Sequence, residues 1–304
     1  MECGKHALAI DIGGSKLLTG LIDQNGRVLD KRKFILPDGA NEKLIIEKIC
    51  EMSHEYKNAS CCGITIPGLA DYDKGLWVYA PFSGISNVPI AEILSEKLGL
   101  PAFVDNDVNA CAIGEKIYGA CAETENFLWI TISNGVGGGL ILNGEIYRGK
   151  DNSAGEIGHF IVEENSKCKC GCGNYGCLEA VASGAAISNI YRSITGMERS
   201  ALEIACEAKA GNKIAMELYD NAAYYIGKAI GYSANLLNLE KVILGGGVSR
   251  DFELLYPSVL RAADRYIFKA ANKNIKIEKT SLGYDAALIG CAAVARKGTG
   301  EIKC

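Results

Sequence analysis

An α/β protein built from two related halves is predicted by three features of the sequence. A short apolar run at residues 7–11 reads as a buried strand that enters a glycine turn and returns as a second strand. The same strand, glycine turn and strand recur from residue 127, a weak internal echo. Segments with helical spacing of apolar residues alternate with further short apolar runs. The chain has 304 residues, which fits one large domain or two medium ones.

Composition narrows the class. Hydrophobic residues make up 48% and charged residues 22%, so the chain can bury a core without staples. The net charge of −4 carries no basic footprint for nucleic acid, and no apolar run is long enough to span a bilayer. Residues 1–5 do not lead into a long apolar stretch, so no signal peptide is expected. A cytoplasmic protein follows. Of the 13 cysteines, scattered ones such as Cys111, Cys206 and Cys291 read as small buried hydrophobes in a reducing compartment.

In chain order, strands are expected at 7–11, 16–23 and 27–36, with Asn25-Gly26 as a turn. A helix follows at 41–56, where Leu44, Ile45, Ile49 and Met52 share a face. A strand at 61–66 stops at Pro67-Gly68. A helix at 90–98, a strand at 102–104 and a helix from Val108 to Tyr118 complete the first half. The second half opens with a strand at 127–133, a turn at 135–139 and a strand at 139–142, then the hairpin signal Asn143-Gly144. Residues 148–176 are rich in loops, and helices dominate 178–239. Strands at 242–244 and 275–278 and a last helix at 286–296 close the chain. The domain boundary is placed near Gly119: residues 1–118 with the C-terminal helix 286–304 form one domain, and 119–285 the larger one.

Five motifs carry chemistry. In Asp11-Ile12-Gly13-Gly14-Ser15-Lys16, glycines let backbone N–H groups approach phosphate oxygens. Ser15 adds a donor, Lys16 a charge, and Asp11 can hold Mg²⁺ through water. A plain hairpin turn is the equally weighted alternative. Ser133-Asn134-Gly135-Val136-Gly137-Gly138-Gly139 has the same design. Gly245-Gly246-Gly247 follows a buried strand and allows backbone to approach a base or ribose; a tight strand-to-helix connection is the alternative. Asp105-Asn106-Asp107 lies at a strand's C-terminal end, where ligand sites of α/β folds lie. A carboxylate there can take a proton from a hydroxyl, or merely cap the next helix. Last, Gly155-Glu156-Ile157-Gly158-His159 precedes Cys170-Gly171-Cys172 and Cys177-Leu178-Glu179. Three thiolates and one imidazole make a closed tetrahedral zinc site; the extra Cys168 leaves open which three cysteines bind, and free or redox-active cysteines are the alternative. Glu156 and Glu179 flank the site.

Together these motifs resemble the ROK family of repressors and sugar kinases, over nearly the whole chain. The resemblance implies an actin-like ATPase fold, hexokinase/ribonuclease H-like, whose two domains enclose a cleft for sugar and ATP. It implies that Asp107 is the catalytic base, that Asn106 and Gly68 line the sugar site, and that Glu156, His159 and Glu179 contact hydroxyls. Nucleotide would be held by Asp11, Gly13, Gly14, Ser15, Lys16, Asn134, Gly135, Gly137, Gly245, Gly246 and Gly247. Structural Zn²⁺ would be held by His159, Cys170, Cys172 and Cys177. A homodimer is also implied. The activity implied is glucokinase-like, ATP- and Mg²⁺-dependent phosphorylation of a hexose, at O6. N-acetylmannosamine, fructose or allose are alternative sugars, and polyphosphate an alternative donor. Two departures stand out. The second loop has Asn134 where the family's kinases usually have Thr, and residues 80–85 lack the Asn and Gly-Trp of many glucokinase-like members. A repressor would need a DNA-binding domain ahead of Asp11, where ten residues leave no room. A non-catalytic sugar binder is the remaining alternative class.

Overall fold

The computed structural model describes residues 6–80 and 84–302. Positions 81–83, part of the 80–85 departure, lie outside the described residues. The chain forms β1 (His6–Ile12), β2 (Lys16–Asp23), β3 (Val28–Ile35), α1 (Glu42–Ser53), β4 (Cys61–Ile66), β5 (Leu69–Asp71), β6 (Leu76–Tyr79), β7 (Ser86–Val88), α2 (Ile90–Leu98), β8 (Ala102–Asn106) and α3 (Asp107–Tyr118). It continues through β9 (Phe127–Ile132), β10 (Val136–Leu142), β11 (Glu145–Ile146), α4 (Leu178–Ala182), α5 (Gly184–Thr195), α6 (Ala201–Lys209) and α7 (Lys213–Leu237). It closes with β12 (Lys241–Gly245), α8 (Phe252–Tyr266), β13 (Lys276–Lys279) and α9 (Ala286–Gly298).

Two five-stranded sheets have the orders β3-β2-β1-β4-β8 and β11-β10-β9-β12-β13. In each, the first two strands form a hairpin and two parallel strands extend the sheet on the other side. In the first sheet β1 pairs antiparallel with β2 and parallel with β4, which pairs parallel with β8. In the second, β12 pairs parallel with both β9 and β13. The echo of residues 7–23 in residues 127–142 is thus a repeat of topology. A small third sheet, β5-β6-β7, has no counterpart in the sequence expectations because its strands are three or four residues long.

The chain clusters into two compact units. One holds the described parts of Met1–Glu125, Gly139–Ala154 and Ser281–Cys304; the other holds Asn126–Gly138 and Gly155–Thr280. The first unit therefore includes Gly139–Ala154, which the sequence assigns to the larger domain. The reason is close packing: a Cβ at Gly139 would meet the Val108 carbonyl oxygen at 2.8 Å. Helix α9 also packs into the first unit, against α3 and β4. Its backbone comes so near that a Cβ at Gly63 would lie 1.7 Å from the Cys291 oxygen. Small residues on α9 make this approach possible, and Leu288, Cys291, Ala292 and Ala295 are buried with Ala7 and Ala9 of β1. The opposite face of the first sheet buries Ile10, Ile64 and Val104 with Ile45 and Ile49 of α1 and Leu94 of α2.

Further expectations are corrected. Helix α3 begins at Asp107, not Val108, with Asn106 as its cap. The second glycine turn is only Ser133–Gly135 long, so Gly137, Gly138 and Gly139 lie in strand β10. Helix α8 stands where no element is expected, because Pro257 interrupts its apolar spacing and yet is accommodated inside it. Cys111 and Cys291 are buried as expected, but Cys206 is exposed. No helix among the described residues is long and apolar enough to cross a membrane.

Candidate active site

In the first unit, the parallel register places Asp11, Thr65 and Asp105 side by side across β1, β4 and β8. Asp11 is buried and accepts a 2.9 Å hydrogen bond from the Thr65 hydroxyl. Burial pushes its carboxyl above the ordinary range, against the pull of that hydrogen bond and of Lys16. Lys16 itself donates to the Tyr284 hydroxyl at 3.2 Å. The loop before it closes through a bond from Gly13 N–H to the Lys16 carbonyl at 2.8 Å.

One residue beyond this row lies the junction of β8 and α3. The Asn106 side-chain oxygen accepts from the N–H groups of Val108 (2.9 Å) and Asn109 (3.3 Å). Its amide nitrogen donates to the Gly68 carbonyl at 2.9 Å. The oxygen's lone pairs are therefore used, and one N–H remains for a ligand. Asn106 is the helix cap, and the Asp107 carboxylate also accepts from Val108 N–H at 3.0 Å. Gly68 sits at φ 86°, a conformation that favours glycine, and the bond from Asn106 ties it to the base segment. Asp107, partly exposed in the first turn, has its carboxyl raised to about 7, by burial first and by the charge of Asp11 second. A carboxylate with that affinity for protons suits general-base work near neutral pH.

Asp105 has a different environment. It is buried and pairs with Arg148, and it also accepts from Asn106 N–H at 2.8 Å and from the Asn109 amide at 3.3 Å. Burial raises its carboxyl while Arg148 opposes the rise. Arg148 is thus the charge partner of the Asp105 carboxylate.

The second unit holds the other motifs. The turn Ser133–Gly135 closes through Ser133 N–H to the Gly135 carbonyl at 2.9 Å. Glu179, in the first turn of α4, accepts from Val136 N–H at 3.1 Å, and a Cβ on Gly135 would meet its carboxylate at 2.4 Å. Glu179 thus braces the glycine turn. The three glycines after β12 differ from one another. A Cβ at Gly245 would strike the Trp129 ring at 2.2 Å, and one at Gly246, where φ is 87°, the Ile132 oxygen at 2.4 Å. Those two are required by packing. Only Gly247 opens onto space, its nearest neighbour being the Ser133 hydroxyl at 4.0 Å.

His159, Cys170, Cys172 and Cys177 bring four ligand atoms within 4.8 Å of one another. The His159 Nδ1 lies 3.5 Å from the Cys170 sulfur, and the Cys172 and Cys177 sulfurs are 3.6 Å apart. Metal–ligand lengths of about 2.3 Å to sulfur and 2.0–2.1 Å to nitrogen give nearly those edges in a tetrahedron. The donor set fits zinc, and Cys168 is outside it. The His159 Nε2 faces Glu156 at 3.6 Å. With Nδ1 toward the thiols, Nε2 is left toward Glu156 at a separation longer than a hydrogen bond.

Two residues of the first unit escape the sequence reading. Thr65 had a signal, a hydroxyl inside the wholly buried strand β4. Arg148 had none, because only the fold brings it to Asp105.

The ROK family model matches residues 7–298. The chain is 32% identical to a glucokinase of Halalkalibacterium halodurans, over 93% of this chain and 92% of the relative. It is 28% identical to the DNA-binding transcriptional dual regulator NagC of Escherichia coli, over 96% of this chain and 75% of that one. A ROK family glucokinase from Streptomyces griseus, crystallised with glucose and AMPPNP, superposes with a TM-score of 0.86 at 28% identity, covering 96% of this chain and 100% of that one.

Proposed function

The chain belongs to the ROK family and has the actin-like ATPase fold; on that footing we propose that it is an ATP-dependent sugar kinase acting on O6 of a hexose. One observation carries the choice of kinase over sugar-responsive repressor. Asp107, at the C-terminal end of a parallel strand, has a carboxyl raised to about 7. Such a carboxylate, placed where α/β folds bind ligands, suits proton transfer from a hydroxyl. The glucokinase relatives, one of them crystallised with glucose and a nucleotide analogue, support the substrate class.

In this reading Asp107 accepts the proton of the attacking hydroxyl, and Asn106 offers its remaining N–H to the same sugar. Glu156 and Glu179 are the proposed hydroxyl contacts of the second unit, Glu179 already held by Val136 N–H. Backbone N–H groups of the two glycine turns bind phosphate oxygens, and Gly247 leaves room for the nucleoside. Asp11 would hold the Mg²⁺ that accompanies ATP and neutralises phosphate charge. Zn²⁺ on His159, Cys170, Cys172 and Cys177 would supply rigidity to the loop that carries Glu156.

The test is an ATP-coupled assay over glucose, N-acetylmannosamine, fructose and allose, with calorimetric binding of each sugar in parallel. Turnover on one of them that disappears in Asp107→Asn supports the proposal. Tight sugar binding with no turnover supports the non-catalytic alternative, which Asn134 in the second turn favours.

A further inference from the structure

Arg148 stands where three parts of the first unit converge. Its guanidinium pairs with the buried carboxylate of Asp105. On its other side it stacks over the Tyr72 ring, 4.2 Å from the centroid. Its carbonyl accepts from Ala154 N–H at 3.0 Å, closing the loop 148–154, and the next residues in the chain are Gly155 and Glu156. Asp105 in turn grips the N–H of Asn106 and the side chain of Asn109. Those residues flank Asp107 on both sides.

The chemistry of the pair explains why it is an arginine. Burial raises the Asp105 carboxyl, and the guanidinium charge opposes that rise. The guanidinium favours the ionised form of Asp105 and donates to it from one terminal nitrogen. Its flat face also packs over the Tyr72 ring. A lysine would supply charge but no flat stacking face.

We propose that Arg148 is a positioning residue for the base: acting through Asp105 it sets the Asn106–Asp107 turn, and through its carbonyl it anchors the loop that leads to Glu156. This rests on the kinase reading above. Misplacement of a reacting group by about 1 Å can cost about 100-fold in rate. Arg148→Met should therefore lower kcat by about 10- to 100-fold while KM for the sugar changes by less than about threefold. Arg148→Lys should recover part of the loss. Because the two residues act as one device, adding Arg148→Met to Asp105→Asn should cost little beyond the single Asp105→Asn change.

The measurement is steady-state kinetics on the four proteins and the wild type, using the best sugar of the panel, with thermal unfolding to confirm folding. A folded Arg148→Met with kcat within about twofold of wild type overturns the inference. So does a loss confined to KM, or fully multiplicative losses in the double variant, since those describe a sugar contact or two unrelated sites. If Arg148→Met does not fold, Arg148→Lys and Asp105→Asn decide: reduced kcat in both supports the inference, and near-normal kcat in either overturns it. A wild-type protein that phosphorylates no sugar fails the kinase reading itself, and the inference with it. An active wild type with active variants fails the inference alone.

Discussion

The two five-stranded sheets share one strand order but carry opposite chemistry at matching positions. In the first, the row two residues before the hairpin turn reads Asp11, Thr65, Asp105. In the second, the matching pair is Thr131 beside Gly245. Asp11 is oriented by the Thr65 hydroxyl at 2.9 Å, whereas Thr131 is held by the indole N–H of Trp129 at 2.8 Å. One strand end collects buried carboxylates, whose proton affinities are raised. The other is uncharged backbone and glycine. A site that moves protons and binds cations suits the first kind of surface, while an uncharged strand end brings no like charge to an anionic ligand. The repeated framework thus carries different side chains at its strand termini.

The sharpest way to break this contrast is at Asp107. Asp107→Asn keeps shape but removes basicity, and turnover should fall by about 10²- to 10⁴-fold. Wild-type kcat/KM should drop on the acid side of about pH 7, because the active form is deprotonated and its carboxyl titrates at about 7. The stability sign is the reverse. A carboxyl raised above its ordinary value binds its proton more tightly when folded, so its contribution is present at low pH and is lost as pH rises through about 7. At about pH 8 the Asn variant should therefore melt at or above the wild-type temperature. A flat rate profile down to about pH 5.5 sinks the assignment.

Next in size is the loop of His159, Cys170, Cys172 and Cys177, a cluster with no counterpart among the described residues of the first unit. Cys172→Ser should lose close to one equivalent of zinc on metal analysis and unfold several degrees earlier. Cys168→Ser should do neither, and zinc retained in the Cys172 variant would remove that residue from the donor set.

A smaller effect separates the glycines of the uncharged sheet. Gly246→Ala is strained by its positive φ and should destabilise by about 1–3 kcal/mol in denaturant titrations. Gly247→Ala should leave stability within about 0.5 kcal/mol but raise KM for ATP several-fold. The reverse ranking would mean that Gly247 is a packing residue after all. The least effect is expected at Asn134. Asn134→Ala should change kcat by a few-fold with sugar affinity retained, and Asn134→Thr should raise it. Equal rates in all three proteins would leave phosphate binding at this turn to backbone N–H groups alone.

Much of this was legible from local signals. Apolar runs that end in glycine marked the strand ends, and the hairpin echo announced the repeated topology. Spacing of Cys170, Cys172 and Cys177 after His159 marked the metal set, because thiolates and imidazole need close loops around a small ion. Helix α8 was hidden because Pro257 breaks the local pattern, although packing pays for it. The carboxylates of Asp105 and Asp107 look interchangeable in sequence; only the fold distinguishes them, by giving Arg148 to one and the charge of Asp11 to the other.

The sequence by itself determined which residues could do chemistry, since glycine turns, an acidic strand end and a thiolate cluster are properties of residue type and spacing. Tertiary structure decided what else those residues do. It made Gly245 and Gly246 necessary for packing, made Asn106 a helix cap and turned the His159 Nδ1 toward the thiols. It also brought Arg148 to Asp105, across 43 positions of sequence. Such partners are set by the register of parallel strands and by the close approach of distant backbones, and no local pattern encodes either.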